Sequence, residues 1–389
     1  MKLALYYSRE NRYSMNALAG ALDAAGLDGV ETSFPPDPAR LAAELKGAGA
    51  AAFSFFTSQK KEFAALARRA AASGAALIAG GPHASAEPRE ALDMGFDYVI
   101  TGEGEAAFPE LVAAIAAGKP PARGVIKGRP ARNLDDCPPF SASRGLLGPI
   151  EITRGCPFAC SYCQTAFLFG GRQRHRSVDN VLGHMGTLLG RGLKDIRFIT
   201  PDMFAYGSPD GRSLDLPALE DLLSRAHALA ARRGGRIYAG SFPSEVRPEH
   251  VTPETLALLK RHAYNRRLVI GAQTGSPRLL KAIRRGHTVD DVLEAARLCR
   301  EFHISPYFDF IFGLPGETPE DEALTRALIG RLSSGGAMIH THAFMPLPGT
   351  PFAGDPGPGL SASAKRFIIR MESAGKAFGK WRAQRRIAG

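Results

Sequence analysis

The sequence has few cysteines and no long apolar segment. Five cysteines among 389 residues do not make a disulfide scaffold. The longest uncharged apolar run, residues 47–58, is too short to cross a bilayer. Near the start, Arg9, Glu10 and Arg12 interrupt the apolar core that a signal peptide would need. These absences exclude a disulfide-rich secreted protein, and we expect a reduced, cytoplasmic chain with no membrane partner.

Acidic residues are too few to balance the basic ones, and the surplus is concentrated near the C-terminus. The net charge is +11, and residues 365–389 carry eight basic residues against a single acid, Glu372. A basic tail of this kind can hold a polyanion by counterion release. No aromatic stacking platform is interleaved with these charges, however. We therefore favour a solvated terminal helix over a nucleic-acid site, within a C-terminal extension at 351–389.

Residues 1–118 alternate short apolar runs with alanine-rich helical stretches. The predicted strands are 2–7, 50–56, 76–79 and 98–101. Strands that alternate with helices are typical of an α/β fold with a doubly wound parallel sheet of Rossmann type. Such sheets bind ligands beyond the carboxyl ends of their strands. The following residues, 119–148, are rich in proline, glycine and arginine, which indicates a linker.

A second alternating series occupies residues 149–350. Its predicted strands are 150–153, 196–200, 236–240, 268–271, 307–312 and 338–344. Six strand–helix units are too few for a closed eight-fold barrel but fit a partial (β/α)6 barrel of the TIM type. In barrels of this kind the chemistry lies on the loops at the carboxyl ends of the strands.

Three of the five cysteines stand within eight residues, directly after the first strand of this series. Cys156, Cys160 and Cys163 form a CxxxCxxC run on a loop opened by Gly155 and Pro157. Thiolates so close together can converge on one soft metal centre, either iron–sulfur or zinc. A structural zinc site would need a fourth Cys or His at ordered spacing, and none lies nearby in the sequence. Three ligands to a four-iron cluster would leave one iron open for catalysis.

This run, with the aromatic Tyr162 before its last cysteine, resembles the motif of the radical S-adenosylmethionine (SAM) superfamily. The resemblance implies a 4Fe-4S cluster on Cys156, Cys160 and Cys163, whose open iron chelates the amino and carboxylate groups of SAM, with Tyr162 in the cofactor site. It also implies that one electron cleaves SAM to methionine and a 5′-deoxyadenosyl radical. A donor such as flavodoxin or ferredoxin would supply that electron, while the protein positions the cofactor and excludes water.

Two later motifs extend the resemblance along the second and third strands. Asp202, at the end of the second strand, is implied as the carboxylate partner of the SAM ammonium. The proline that precedes it departs from the family pattern. Ser241 and Arg247 bound the stretch after the third strand, which is expected to meet the ribose hydroxyls or the carboxylate of SAM.

Two further motifs follow the fourth and fifth strands. Gln273 opens a Gln-Thr-Gly-Ser stretch, with Arg285 downstream, that is similar to a stretch of the same subgroup. Gly313 lies in a segment similar to the glycine-rich loop of the subgroup, which is implied to cradle adenine. The order of these motifs, more than any one of them, supports the resemblance over residues 149–350.

The N-terminal part resembles the cobalamin-binding domain that precedes many radical SAM enzymes. Gly80 and Gly81 follow one predicted strand, and Gly102 and Glu103 follow the next. Backbone without a Cβ lets a bulky nucleotide tail approach the sheet edge closely. Ser54, at the end of its strand, matches a serine that faces the tail in the family. The resemblance therefore implies that these residues contact cobalamin.

One departure from that family concerns the lower axial ligand of cobalt. The signature Asp-x-His-x-x-Gly is absent, and residues 1–75 contain no histidine. Either cobalamin binds without a histidine below the cobalt, or the domain is a vestigial scaffold whose glycines serve only turns. We favour retained cobalamin binding.

His340 and His342 alternate on the last predicted strand, so their side chains point to one face. If that face is the barrel interior, they could act as catalytic proton relays or as substrate ligands, because imidazoles titrate near neutrality. A pair of structural histidines is an equally good interpretation.

Together these features predict a cobalamin-dependent radical SAM methyltransferase that acts on an unactivated carbon or a phosphinate. The alternative is a cobalamin-independent deoxyadenosyl-radical enzyme that carries out a rearrangement, cyclisation or oxidation. Methylthio transfer to RNA would need three more cysteines in the N-terminal domain, which residues 1–118 do not contain. A non-catalytic corrinoid or redox sensor is a rival of a different class. No residue pattern identifies the substrate.

Overall fold

The computed structural model describes residues 1–27 and 29–388, with the side chains of 385–388 outside the description. Contacts divide the chain into two compact units, Met1–Pro149 and Ile150–Gly389. None of the helices in the described part of the chain combines the length and the apolar character that a bilayer crossing requires.

The first unit is a parallel α/β sheet, which confirms the predicted fold class for this part. Its six strands stand in the order β2-β1-β3-β4-β5-β6, all parallel. The strands are β1 (Lys2–Leu5), β2 (Glu31–Ser33), β3 (Ala50–Ser54), β4 (Ala76–Gly80), β5 (Tyr98–Thr101) and β6 (Gly124–Lys127). The helices are α1 (Arg12–Ala25), α2 (Pro38–Glu44), α3 (Lys60–Ala70), α4 (Gly81–Ala86), α5 (Pro88–Asp93) and α6 (Ala107–Ala116).

Both faces of this sheet are covered, as a parallel sheet requires. All five residues of β3 are buried, and the strand reads as a continuous run of small and apolar side chains. On one face, Phe53, Phe55 and Phe63 form an aromatic cluster with rings 4.7–6.3 Å apart. On the other, Leu3 and Leu5 pack among residues of α1 and α6. The sheet therefore has two apolar cores, one on each face.

The sheet extends beyond residue 118, where we placed the end of the first domain. Strand β6 lies inside the predicted linker 119–148 and pairs with β5 in parallel register. Its residues alternate between half-buried and exposed, as expected for an edge strand. The short run Gly-Val-Ile-Lys is surrounded by proline and arginine, which hid the strand in the sequence. The strand β2, at the opposite edge, has only three residues and was also missed.

The second unit is the predicted partial barrel. Its helices are α7 (Thr165–Phe169), α8 (Val178–Gly190), α9 (Leu216–Arg232), α10 (Pro253–His262), α11 (Pro277–Ala282), α12 (Val289–Glu301), α13 (Pro319–Ser334), α14 (Ala362–Ser373) and α15 (Trp381–Ala388). Its strands are β7 (Ile150–Glu151), β8 (Thr153–Arg154), β9 (Arg174–His175), β10 (Asp195–Ile199), β11 (Arg236–Tyr238), β12 (Arg267–Gln273), β13 (Ser305–Phe312), β14 (Met338–Ala343) and β15 (Ala377–Gly379).

The barrel strands run parallel in chain order. Strands β7, β10 and β11 form one sheet, and β12, β13, β14 and β15 form another. Backbone bonds join the two, because the amide of Val269 donates to the carbonyl of Gly240 over 2.9 Å and Val246 bridges to Ile270. The pair β8–β9 is antiparallel and flanks the cysteine loop. The carboxyl ends of the barrel strands therefore open on the same side as that loop.

The basic C-terminal segment is part of this unit rather than a solvated terminal helix. Strand β15 pairs with β14, and α15 contacts β14 directly. Trp381 is buried and its indole N–H donates to Glu372 over 2.9 Å. The many lysines and arginines of this segment concealed a short apolar pattern, Ala-Phe-Gly, that completes the sheet.

Candidate functional site

A cavity of about 380 Å³ lies at the carboxyl ends of the barrel strands. The cysteine loop and the ends of five strands supply its walls. Polar or thiol side chains in the lining are Cys156, Cys160, Tyr162, Cys163, Thr165, Thr200, Glu245, Gln273, Arg285, Asp309, His342 and Gln384. This is where a barrel of this type is expected to carry its chemistry.

The cysteine loop turns tightly so that its three thiols face one space. Gly155 has a φ of +91°, and a Cβ there would lie 2.3 Å from the carbonyl oxygen of Arg172. The amide of Cys163 donates to the carbonyl of Cys160 over 2.9 Å, which closes the second turn. All three cysteines are free thiols and line the cavity. The predicted convergence of the trio is therefore present in the structure.

This donor set suits a four-iron cluster with one open position. Burial raises the pKa of the Cys156 and Cys163 thiols, so iron would have to displace their protons on binding. Among the described lining residues there is no fourth cysteine, and His342 belongs to a separate hydrogen-bonded group. Three thiolates on one loop are the ligation that leaves an iron open to a second cofactor.

Arg285 and Glu245 place a guanidinium and a carboxyl group in the same cavity. The guanidinium of Arg285 is nearly buried, donates to the carbonyl of Gly271 over 2.8 Å and lies 3.8 Å from the sulfur of Cys160. Its Nε atom has no hydrogen-bond partner. An anionic ligand group would accept a hydrogen bond from this buried, unpartnered N–H beside the thiols.

The side chain of Glu245 lines the cavity and is exposed there. Partial loss of solvation, followed by the negative charge of Asp309, raises the pKa of Glu245 to about 8. A cation that enters beside this carboxyl would lower its pKa again. The sequence did not single out Glu245, although it lies inside the stretch bounded by Ser241 and Arg247.

Gln273 and Tyr162 reach the cavity as expected. Gln273 ends β12 at a register shift and has a φ of +69°, a conformation that non-glycine residues rarely adopt. This strained backbone turns the side chain into the cavity wall. Tyr162 lines the wall beside the thiols, and burial raises the pKa of its phenol, which therefore stays neutral.

Asp202 does not line the cavity. One carboxylate oxygen bonds the imidazole of His250, and the other accepts from the amide of Phe204 over 3.2 Å. Although burial opposes charge on His250, the bond to Asp202 raises the pKa of His250 above its usual value. The carboxylate is thus committed to an internal ion pair. The preceding residue, Pro201, is the one on the wall.

Ser241 and Arg247 also lie off the wall. The hydroxyl of Ser241 accepts from Arg197 over 3.1 Å. Arg247 is buried, donates to Glu249 over 2.6 Å and stacks on the ring of Phe158, 3.4 Å from its centroid. It therefore braces the cysteine loop from the side away from the cavity.

Gly313 is not at the cavity either. Its φ is +78°, and a Cβ there would lie 3.0 Å from the backbone of Gly359. Its amide donates to the carboxylate of Glu317. Glycine is needed here for close packing against residues 357–359, which the adenine interpretation of the sequence did not anticipate.

The two histidines of β14 share one face, as predicted, and form a hydrogen-bonded row with Asp309. His340 Nδ1 lies 2.8 Å from the carboxylate of Asp309 and 3.2 Å from His342 Nε2. The amide nitrogen of Gln384, on α15, lies 3.2 Å from His342 Nδ1. Burial, and then the neighbouring His340, lower the pKa of His342 to about 4, so its ring is neutral at pH 7. Only His342 of the pair lines the cavity.

One carboxylate and two imidazoles are also a possible donor set for a divalent ion, since their ligand atoms lie within 4.8 Å of one another. The hydrogen bonds among Asp309, His340, His342 and Gln384 already account for the arrangement, however. The row therefore needs no ion.

In the first unit, the glycine-rich strand ends are partly occupied by the chain itself. Gly81 has a φ of +87°, and a Cβ there would lie 2.5 Å from the hydroxyl oxygen of Ser54. A Cβ on Gly80 would lie no closer than 3.7 Å to its neighbours. The carbonyl of Ser54 accepts from the side chain of Asn11 over 3.1 Å, and that amide also donates to Tyr6. Gly81 is thus required by the fold, whether or not a ligand binds.

Gly102 and Glu103, after β5, have different surroundings. Gly102 has a φ of +74°, and a Cβ there would meet nothing within 4 Å, so this backbone faces open space. Glu103 is buried and its carboxylate accepts from the amide of Ala131 over 3.0 Å. This bond ties the segment after β6 to the sheet. The side chain of Glu103 is therefore not directed at a ligand.

The same sheet edge has a cavity of about 480 Å³ beside the end of β1. Because the strand order reverses between β1 and β3, this is the switch point at which doubly wound sheets bind ligands. Tyr7, Arg9, Arg12 and Tyr13 contribute to its walls. Open backbone at Gly102 and a basic crevice at the switch point fit the nucleotide tail of cobalamin. The sequence analysis did not select Arg9 or Arg12 as binding residues.

Comparisons with known families match the two units separately. Residues 150–328 match the Radical SAM superfamily, and residues 6–112 match the B12 binding domain. The chain is 26% identical over 275 residues to an uncharacterised methyltransferase of Pyrococcus horikoshii, covering 64% of this chain and 56% of that protein. It is 30% identical over 266 residues to the tRNA-2-methylthio-N(6)-dimethylallyladenosine synthase of Moorella thermoacetica, covering 68% and 57%. The chain spans about three fifths of these relatives' length.

Solved structures show the same fold over nearly the whole chain. The radical SAM methyltransferase TsrM from Kitasatospora setae, with cobalamin and a [4Fe-4S] cluster bound, matches with a TM-score of 0.68 at 20% identity. That match covers 90% of this chain and 77% of TsrM. The cobalamin-dependent radical SAM enzyme OxsB matches with a TM-score of 0.66 at 15% identity, covering 84% of this chain and 51% of OxsB.

Proposed function

Because the chain belongs to the radical SAM superfamily and carries a B12-binding domain ahead of its barrel, we propose that it is a cobalamin-dependent radical SAM methyltransferase. Its acceptor would be an unactivated carbon or a phosphinate. The proposal rests on one observation above all. Three free thiols, Arg285 and Glu245 line the same barrel cavity.

In this proposal Cys156, Cys160 and Cys163 hold the 4Fe-4S cluster. When bound, the cluster supplies the electron that cleaves SAM, and cobalamin carries the methyl group to the acceptor. The protein's part is to bind and orient SAM. Arg285 would receive its carboxylate on the unpartnered Nε, and Glu245 would receive its ammonium. This assignment replaces Asp202, whose carboxylate is already paired with His250.

The remaining wall residues would position the rest of the substrate. Gln273 and Tyr162 supply neutral hydrogen-bonding groups on either side of the charged pair. His342 presents a neutral imidazole to the cavity, and Asp309 lines the same wall. Both ring nitrogens of His342 already have hydrogen-bond partners, in His340 and Gln384, so the row would position a substrate group at this wall. The role in proton transfer that the sequence indicated stays a prediction.

In the first unit, Gly102, Gly80 and the crevice lined by Arg9 and Arg12 would hold the corrinoid. Ser54 and Gly81 would shape the edge rather than touch the ligand. No histidine precedes residue 76, so the cobalt would lack a histidine ligand from this segment. The cytoplasmic location and the need for an external electron donor stay predictions from the sequence.

The proposal can be tested without the substrate. Protein reconstituted anaerobically with iron, sulfide and hydroxocobalamin is incubated with SAM and dithionite, and the nucleoside products are quantified by mass spectrometry. We expect a retained corrinoid and the formation of both S-adenosylhomocysteine and 5′-deoxyadenosine. S-adenosylhomocysteine should disappear when cobalamin is omitted.

Two other outcomes would assign other functions. 5′-Deoxyadenosine without a bound corrinoid would favour the cobalamin-independent radical enzyme. A bound cluster with neither product would favour the non-catalytic sensor. Methylthio transfer, named for several relatives, would need a second set of cysteines, and residues 1–149 contain only Cys137.

A further inference from the structure

The cysteine loop has an outer side, opposite the cavity, that is surrounded by exposed cations. Arg172, Arg212, Lys281 and Arg284 all have exposed side chains. They come from three separate segments of the barrel unit. None of the four takes part in an ion pair with another described residue.

Each of these segments touches the loop directly. The carbonyl of Arg172 packs on Gly155, and the side chain of Arg212 donates to the carbonyl of Pro157 over 2.8 Å. The carbonyl of Arg284 lies 3.8 Å from the sulfur of Cys160. Lys281 is joined to Arg284 by a backbone bond of 3.1 Å. The four cations therefore form one group around the loop, which we call the outer basic surface.

The acids beside this surface offset only part of its charge. The carboxylate of Asp210 is used by the amides of Arg212 and Ser213, and the carboxylate of Glu249 is used by the buried Arg247. A group of uncompensated exposed cations produces a positive potential that attracts and orients an acidic partner.

Phe158 lies between this surface and the thiols. It stands between Cys156 and Cys160 in the sequence and does not line the cavity. Arg212 covers its ring at 4.6 Å and Arg247 at 3.4 Å from the ring centroid. An aromatic side chain that is held between two guanidinium groups is rigid, and it keeps the outer side of the loop in a fixed shape. The three thiols line the cavity, whereas neither Phe158 nor any of the four cations does.

We propose that the outer basic surface is the docking site of a small acidic one-electron donor protein. This rests on the proposed function, since a cluster on the three cysteines must be reduced by one electron. On docking, the donor is oxidised by one electron and the cluster is reduced by one, with no proton or group transferred. The cavity side of the loop is left to SAM, so both partners can be present together.

The test compares two triple variants of the reconstituted protein. One reverses the outer basic surface (Arg172→Glu, Lys281→Glu and Arg284→Glu). The matched control reverses three exposed cations on α9, α13 and α14 (Arg232→Glu, Arg331→Glu and Arg370→Glu), so the change in net charge is the same. Binding of purified flavodoxin is measured by calorimetry at low and high salt. Cluster content is checked by iron and sulfide analysis.

The surface variant should bind flavodoxin at least about tenfold more weakly than the control, and the difference should shrink at high salt. With reduced flavodoxin as the electron source, its rate of 5′-deoxyadenosine formation should fall through a higher KM for flavodoxin. With dithionite, both variants should match the parent. Equal flavodoxin binding by the two variants would overturn the docking site. Failure of the parent protein to cleave SAM with dithionite would instead overturn the proposed function.

Discussion

The motif residues at the strand ends have different surroundings in the barrel and in the first unit. In the barrel, the reactive groups of the motifs point into an open cavity: three thiols, an unpartnered guanidinium N–H and a carboxyl with a raised pKa. In the first unit, Gly81, Ser54 and Glu103 are engaged by the chain's own backbone or side chains. Gly102 and the crevice beside β1 face open space there.

This difference shows what a motif can mean physically. A buried guanidinium N–H that lacks a partner is costly, so its presence beside three converging thiols indicates a ligand. A glycine with a positive φ is required by the backbone even when no ligand binds. The case for the cluster therefore rests on chemistry, and the case for cobalamin rests on shape and on the family match. The following four changes test this contrast.

The largest effect is expected from the cysteines. Replacing Cys156, Cys160 and Cys163 by alanine should abolish the brown colour, the bound iron and all SAM cleavage, because no other described thiol lines the cavity. Cys299→Ala is the matched control, since that thiol is buried on α12 and burial raises its pKa to about 12. Iron retained by the triple variant would contradict the assigned ligand set.

The charged pair should control SAM affinity. Glu245→Gln and Arg285→Lys should each weaken SAM binding by about 10- to 100-fold, since a charge-assisted hydrogen bond contributes about 1.5–3 kcal/mol. Asp202→Asn should act mainly on stability, because its carboxylate is paired with His250 rather than facing the cavity. Equilibrium dialysis with labelled SAM, alongside thermal unfolding, separates the two effects. A larger loss of affinity in Asp202→Asn than in Glu245→Gln would restore the assignment made from the sequence.

In the first unit, two glycines should respond differently to alanine. Gly81→Ala should lower the free energy of unfolding by more than about 2 kcal/mol, because a left-handed φ and a contact with Ser54 both penalise a Cβ. Gly102→Ala should cost only about 1 kcal/mol, because its surroundings are open, but should reduce the corrinoid retained after gel filtration. Equal corrinoid retention in Gly102→Ala and the parent would remove this residue from the cobalamin site.

The smallest expected effect is the release of less than one proton per protein when SAM binds. The pKa of Glu245 is raised to about 8 in the empty cavity, so an entering ammonium should lower it and release a proton. The contribution of Glu245 to SAM affinity should therefore grow as pH rises towards 8 and level off above it. Calorimetry at pH 7 in two buffers of different ionisation enthalpy should show more proton release by the parent than by Glu245→Gln. The same release from both would show that Glu245 does not receive the ammonium.

The sequence predicted the architecture and the convergence of the three thiols because both are strong local signals. Alternating strands and helices define a parallel sheet, and a CxxxCxxC run defines three converging thiols. It failed at short edge strands such as β6, whose four residues give no periodicity. It also placed Asp202 at the SAM ammonium, whereas the structure pairs that carboxylate with His250 on a distant segment, which nothing in the sequence shows. Glu245 and Gln384 come to the cavity only through tertiary packing.

The most direct test of the account is the metal content of protein purified and reconstituted without oxygen, in the presence of hydroxocobalamin. The account predicts iron and sulfide for one four-iron cluster, together with stoichiometric cobalt, in a single gel-filtration peak. The cysteine triple variant should lose the iron and keep the cobalt, because the two cofactors are assigned to different units. Cobalt that is absent from the parent would contradict cobalamin dependence, and iron that survives in the variant would contradict the cluster site.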